Sequence, residues 1–133
     1  GQFARVDNAR YRLLKATTPG SYTFILEGTR ELPRRVLHPK RKTIGLRVPA
    51  HTITLALLEA LGEPLLTSTL IVAGDEEPLT EGWEIRDRLD SQLELILDGG
   101  HCGIDPTTVI DLTAALPVLV RAGLGALAPF GLD

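Results

Sequence analysis

Strand-length apolar runs, each closed by proline or glycine, alternate along this chain with segments of helical period. That alternation restricts the fold more than any other feature. YTFILEG at 22–28, TIGLRVP at 43–49, PLLTSTLIVAG at 64–74, LELILDGG at 93–100, TTVIDLT at 107–113 and PVLVRAG at 117–123 combine β-branched or aromatic residues with turn signals at their ends. Between them, ARVDNARYRLLK at 4–15 predicts a short basic helix that buries Val6, Tyr11 and Leu14 or their neighbours, and TPGS at 18–21 ends it in a turn. HTITLALLEALG at 51–62 predicts an amphipathic helix, with Leu57, Leu58 and Leu61 at helical spacing and Gly62 where a helix stops. WEIRDRLDSQ at 83–92 predicts a further helix anchored by Trp83 and Leu89. Pro33 and Pro39 hold ELPRRVLHPKRK at 31–42 to irregular chain or a single helical turn. Strand, helix, strand, helix, strand is the signature of an α/β fold: a twisted, mixed open sheet with packed helices and at least one crossover. The 64–74 and 93–100 runs are expected as strands, the first of them buried.

A length of 133 residues with 44% hydrophobic content suits one domain with a real core, and no repeat or linker divides residues 1–133. Charges interrupt every apolar stretch before membrane-spanning length, and no signal-peptide pattern opens the chain. The single cysteine, Cys102, cannot form a disulfide within the chain, so a reducing cytoplasm is the expected setting.

The net charge of −3 conceals a division. Residues 1–47 hold eleven Lys and Arg against three acids, whereas residues 48–133 hold three against fourteen. Arg30, Arg34, Arg35, Lys40, Arg41, Lys42 and Arg47 crowd together with only Glu31 opposing them. Such a cluster draws anions, the phosphates of a nucleotide or of RNA, unless the acidic half neutralises it.

Polar residues recur at the ends of the expected strands: Thr23, Thr43, Arg47, Thr67, Thr69, Thr107 and Arg121. In TIGLRVP, Ile44, Leu46 and Val48 point one way and Thr43, Gly45 and Arg47 the other. An arginine in a strand, as in GLRVP or LVRAG, needs a carboxylate or a phosphate; Asp98, Asp105 and Asp111 are internal candidates for Arg47 or Arg121. Neither GxxxxGK[ST] nor GxGxxG occurs. His38, His51 and His101 lack metal-ligand spacing, so no metal site is expected. His101 and Cys102 in GGHCGIDP have no evident activating partner, and no residue is marked as catalytic.

Read in order, TPGSYTFIL, KTIGLRVPAH, LLEALGEPLLTSTLIVAG, LILDGG, PTTVIDLT and VLVRAG resemble the successive motifs of the YrdC family from Thr18 to Gly123. These are the L-threonylcarbamoyl-adenylate synthases of tRNA N6-threonylcarbamoyladenosine formation, and the YciO branch is the most similar. The resemblance implies a concave basic face and a nucleotidyltransferase reaction. Threonine, bicarbonate and ATP give threonylcarbamoyl-AMP and pyrophosphate, assisted by a divalent metal such as Mg. It implies ATP or AMP contacts from Thr43, Thr69 and Arg121, and L-threonine contacts from Arg47, Thr67 and Thr107. Ile71 stands where the family's STSAN segment has asparagine, which removes an amide's hydrogen bonds. The family's KRxxxKP-type segment, which grips the phosphates, is not found here. By resemblance, the chain is therefore expected to be the carboxy-terminal portion of a YrdC-like domain, inactive by itself. The alternative is a non-catalytic module for double-stranded RNA or tRNA, using Arg34, Arg35, Lys40, Arg41 and Lys42.

Overall fold

Tyr22–Glu27 (β1), Thr43–Leu46 (β2), Thr108–Asp111 (β3) and Val118–Arg121 (β4) form one open sheet in the order β2-β1-β3-β4. β1 pairs antiparallel with β2 and parallel with β3, and β3 pairs antiparallel with β4. The helices are Asn8–Thr17 (α1), Thr52–Leu61 (α2) and Gly82–Leu89 (α3), so the expected mixed α/β class is present. The computed structural model describes residues 1–133, and these divide into two units. The first joins Gly1–Ala50 to Pro106–Asp133; the second is His51–Asp105.

The first unit contains the whole sheet and every buried residue. β1 alternates as its sequence demands: Tyr22, Phe24 and Leu26 are buried, while Thr23 and Ile25 are half-buried on the opposite face. Ile110 and Leu112 extend the apolar face across β3, and Ala4 and Phe130 close over it. Tyr22, Phe24 and Phe130 form an aromatic cluster with ring centroids 5.3–5.8 Å apart. Ile44, Leu46 and Leu119 pack against this core from the flanking strands.

α1 starts four residues later than the sequence pattern suggests, because the Asp7 side chain accepts a hydrogen bond from the Arg10 amide and caps the helix. Ahead of it, Ala4 bridges to Gly28 and the Arg5 amide donates to the Glu27 carbonyl, so those residues run extended. Val6 and Leu14 pack on the core as expected, together with the neighbouring Leu13, while Tyr11 is 57% exposed. The Arg10 guanidinium donates to the Leu112 and Ala114 carbonyls and to Asp7, pinning α1 to the end of β3.

TIGLRVP pairs only as far as Leu46, and Val48 is 41% exposed rather than facing the core beside Ile44 and Leu46. The turn at 18–21 explains this: the Gly20 amide takes the Val48 carbonyl and draws the chain off the sheet.

In the second unit, α2 forms where expected. The His51 ring Nδ1 accepts from the Thr54 amide at its start, and Gly62, at φ 72°, ends it. α3 begins at Gly82, and the Arg88 guanidinium clasps Asp75 from its last turn. Trp83 is 67% exposed and anchors nothing. The two runs expected as strands here, 64–74 and 93–100, join no ladder, and 64–74 is almost wholly exposed rather than buried. Neither unit has a helix long and apolar enough to cross a membrane.

Candidate functional site

Four loops meet at one end of the first unit's sheet. Because β1 and β3 run one way and β2 and β4 the other, this end collects the entries to β1 and β3 and the exits from β2 and β4. The TPGS turn leads into β1, PTT into β3, LRVP leaves β2 and RAG leaves β4.

Thr23 and Thr107 share a hydroxyl–hydroxyl hydrogen bond of 2.8 Å. Arg121 reaches across from β4, donating through Nε and Nη2 to the Thr107 carbonyl at 3.2 and 2.9 Å, and through Nη2 to the Thr107 hydroxyl at 3.3 Å. A register shift between Val109 and Ile110 leaves Val120 unpaired and sets Arg121 opposite Val109. Arg121 forms no ion pair with Asp111, the aspartate of its own unit expected as an internal partner. The Asp111 carboxylate is occupied instead by the Thr113 amide and hydroxyl. Arg121 Nη1 has no protein acceptor.

Two residues that the sequence reading passed over hold this end together. Thr108 is fully buried; its hydroxyl donates to the Gly125 carbonyl at 2.7 Å and accepts from the Gly123 amide at 3.0 Å. A side chain at Gly123 would collide with the backbone of Pro106 and Thr107, so only glycine lets the β4 exit lie against the β3 entry. The signal was available: a hydroxyl on the apolar face of TTVIDLT needs a partner, and GLG downstream supplies backbone groups that can come close.

The candidate residues are distributed unevenly. Arg47 lies one residue beyond Leu46, the partner of Phe24, at the same end as Thr23, Thr107 and Arg121, and it is exposed. Thr43 pairs with Glu27 at the other end of β1, a separation of roughly 15 Å along the strands. It keeps the face common to Thr23: a Cβ on Gly45, between Thr43 and Arg47, would meet Thr23 Cγ2 at 3.4 Å. Thr67 and Thr69 belong to the second unit, exposed in the unpaired 64–74 run.

The basic segment forms an ordered cap at the Thr43 end. Leu37 and Leu32 pack over Gly28, where a Cβ would strike the Leu37 side chain. The His38 ring Nδ1 accepts from the Lys40 and Arg41 amides at 3.2 and 3.1 Å, while its backbone closes on Thr43 and Lys42. Lys42 sits at φ 56° and its ammonium donates to the Pro39 carbonyl. Arg34, Arg35, Lys40, Arg41 and Lys42 are exposed, and none pairs with a carboxylate of its own unit.

In the second unit, His101 does have a partner: its Nδ1 lies 2.6 Å from Glu81 Oε1. The Cys102 thiol contacts the Gly100 carbonyl, with no hydrogen bond to the imidazole, so the three residues do not form a nucleophilic relay.

Comparison with known proteins places this geometry in context. The family model described as "Telomere recombination", of the Sua5, YciO and YrdC proteins, matches residues 1–123. YciO of Escherichia coli is 56% identical over 128 residues, which cover 96% of this chain and 62% of the relative. The chain therefore spans less than two thirds of that relative's length. The crystal structure of the same relative superposes with a TM-score of 0.88 at 55% identity, again over 96% of this chain and 62% of the other. The threonylcarbamoyl-AMP synthase of Pyrococcus abyssi is 35% identical, over 84% of this chain and 32% of the synthase. Sua5 of P. abyssi, in a crystal structure complexed with L-threonine, gives a TM-score of 0.80 at 30% identity, over 92% of this chain and 36% of that one.

Proposed function

Because the chain belongs to the Sua5, YciO and YrdC family, we propose that the loop end of its sheet is part of a site for an adenine nucleotide and a threonine-type amino acid. The observation that carries this reading is Arg121. Its guanidinium is held on Thr107, it has no carboxylate partner in its unit, and Nη1 is free to donate. A fixed cation with an open N–H is suited to a phosphate or a carboxylate. The name of the P. abyssi synthase and the L-threonine bound to P. abyssi Sua5 supply the ligand classes.

On this reading, within the first unit, Thr43 and Arg121 contact the nucleotide, and Arg47 and Thr107 contact the amino acid. An extended ligand accounts for Thr43 and Arg121 standing at opposite ends of one sheet, since a nucleoside triphosphate is itself long. In the whole protein, a carbamate oxygen formed on the threonine amine attacks the α-phosphorus, and the bond to pyrophosphate breaks. Arg47 and Arg121 offset the charge gathered in that step. No cluster of three His, Cys, Asp or Glu side chains stands ready to bind a metal here, so a divalent ion would enter on the triphosphate.

A second reading rests on a separate observation, the unpaired basic cap around His38, which can follow an RNA phosphate backbone without any chemistry. One set of titrations separates the two. We expect Arg121→Ala to weaken binding of Mg–ATP about tenfold or more, with little dependence on salt, while the triple change of Lys40, Arg41 and Lys42 to alanine leaves it unaltered. The triple variant should instead weaken binding of duplex RNA and flatten its salt slope by up to about three units. Mg–ATP affinity indifferent to Arg121→Ala removes the nucleotide reading, and RNA affinity indifferent to the triple change removes the second.

A further inference from the structure

We infer that Thr23 is a positioning residue of the candidate site. Its hydroxyl donates to the Thr107 hydroxyl and thereby turns the Thr107 proton outward, toward a carboxylate oxygen of the amino acid. This rests on the reading that Thr107 contacts an amino acid, and it extends that reading to a residue outside the proposed ligand contacts.

The fold aims the two hydroxyls at each other. β1 lies between β2 and β3, and Thr23 stands beside Val109 in the parallel pairing of β1 with β3. Thr107 is two residues before Val109 and so shares its face of the sheet. Thr23 branches at Cβ, so one rotation about χ1 places both its methyl and its hydroxyl. The methyl faces β2, where a Cβ on Gly45 would meet it at 3.4 Å. The hydroxyl faces β3 and lies 2.8 Å from Thr107 Oγ1, its one partner in the chain.

The direction of that bond follows from its protons. A guanidinium only donates, so Thr107 Oγ1 accepts from Arg121 Nη2 at 3.3 Å. The two threonines have two hydroxyl protons, and the bond between them uses one. If Thr107 donates to Thr23, the remaining proton belongs to Thr23. If Thr23 donates, Thr107 Oγ1 accepts two hydrogen bonds and has its own proton to give. Only the second arrangement fills every hydrogen-bonding capacity of Thr107 when an acceptor arrives, and in it each hydroxyl polarises the next. An anionic oxygen at Thr107 therefore selects it. The Thr107 hydroxyl then donates in one direction, instead of rotating about its C–O bond.

The group recognised is a carboxylate rather than an ammonium. Arg47, Arg121 and the spare hydroxyl proton are all donors, and no carboxylate pairs with either arginine. The Asp111 carboxylate is taken by Thr113. Arg121 is anchored on the Thr107 carbonyl through Nε at 3.2 Å and Nη2 at 2.9 Å, so its place does not depend on the two hydroxyls. Loss of the Thr23 hydroxyl thus touches the amino acid and spares the nucleotide.

NMR titrations of the 133-residue chain, followed by the amide shifts of Thr107 and Thr108, test this with L-threonine, L-threoninol and Mg–ATP as probes. Thr23→Val replaces the hydroxyl by a methyl of similar size, and unchanged Ile110 methyl shifts show that the sheet is intact. Thr23→Ala, with the same expectation, serves if valine disturbs it. Thr23→Val should weaken L-threonine binding about five- to tenfold and leave Mg–ATP within about twofold. Thr23→Ser keeps the donor and should restore most of the loss. Thr107→Val should weaken L-threonine at least as much. The double variant should lose no more than Thr107→Val alone, because Thr23 acts only through Thr107. L-threoninol, which lacks the carboxylate, should bind poorly and respond little to Thr23→Val. Full L-threonine affinity in Thr23→Val, with Thr107→Val impaired, overturns the inference and leaves the amino-acid reading standing. So does an additive double variant, an equal loss of Mg–ATP, or L-threoninol that responds as L-threonine does. L-threonine affinity indifferent to Thr107→Val, or absent from the wild type, removes the amino-acid reading and this inference with it.

Discussion

The first unit and the second are built from the same kinds of sequence, yet only one of them has an interior. β1 and residues 93–98 both place a large apolar side chain at every second position, and both lie between turn signals. Leu26 in β1 is wholly buried, whereas Leu95 is 74% exposed. What separates them is pairing. β1 lies between β2 and β3, with α1 and Phe130 over one face, so its pattern is matched by neighbours on every side. The second unit is tied by α2, capped by His51, and by polar contacts such as Asp75 with Arg88 and Glu81 with His101, which organise loops without enclosing side chains. Burial is a relation between segments, and a period-two pattern states only which side chains seek it.

The sharpest way to break this comparison is to truncate one large apolar residue in each unit. Phe24→Ala removes a side chain that is 2% exposed and contacts both Tyr22 and Phe130, and it should cost about 3–5 kcal/mol of unfolding free energy. Leu95→Ala should change stability by no more than about 0.5 kcal/mol. Urea denaturation of the two variants measures both. A loss for Leu95→Ala approaching that for Phe24→Ala would mean that the second unit has an interior after all.

A smaller difference is expected between two threonines that look alike in sequence. The Thr108 hydroxyl joins the β3 entry to the β4 exit through Gly123 and Gly125. Thr108→Val leaves the Gly123 amide without its acceptor and should cost about 1–3 kcal/mol. Thr69 lies exposed in the unpaired run, and Thr69→Val should stay within about 0.5 kcal/mol. Equal losses in thermal unfolding would contradict the distinction.

These contrasts also mark what could be read from the sequence. The strands of the sheet were legible where turn chemistry and alternation agreed, as in TPGSYTFILEG and in PTTVIDLT followed by PVLVRAG. α2 was legible because Gly62 closes a leucine-rich helical pattern. The division into two units was not, because 64–74 and 93–100 carry strand patterns and the sequence does not say which backbone they meet. Tyr11 and Trp83 were misjudged for a related reason: size predicts that a side chain would benefit from burial, not that a surface is there to cover it. At the candidate site, Thr23, Thr107, Arg47 and Arg121 were legible as polar residues at strand ends. The opposed placing of Thr43 was not, since it follows from β2 running antiparallel to β1, a fact of pairing. Thr108 and Gly123 escaped because their partners are backbone groups that only the folded sheet brings together.

The smallest effect separates the two acidic anchors, Asp7 in the first unit and Asp75 in the second. Both carboxyls are held below the usual aspartate range, but by different donors. For Asp7 the main cause is the hydrogen bond from the backbone amide of Arg10, with the Arg10 guanidinium adding to it. For Asp75 it is the side-chain hydrogen bond from Arg88, followed by the charge of the same group. A depressed folded-state pKa stabilises the fold above the unfolded value, and that contribution disappears as pH falls through the folded value. Both anchors should therefore release only in acid below the ordinary aspartate range. Arg88→Ala removes every group that lowers Asp75, so its midpoint should return to the ordinary range. Arg10→Ala leaves the backbone amide in place, so Asp7 should keep part of its depression. Side-chain carboxyl NMR titrations of the two variants, with Ile110 methyl shifts confirming the fold, measure this directly. If Asp7 relaxes as fully in Arg10→Ala as Asp75 does in Arg88→Ala, the helix cap contributes nothing to Asp7, and both anchors are ordinary surface ion pairs.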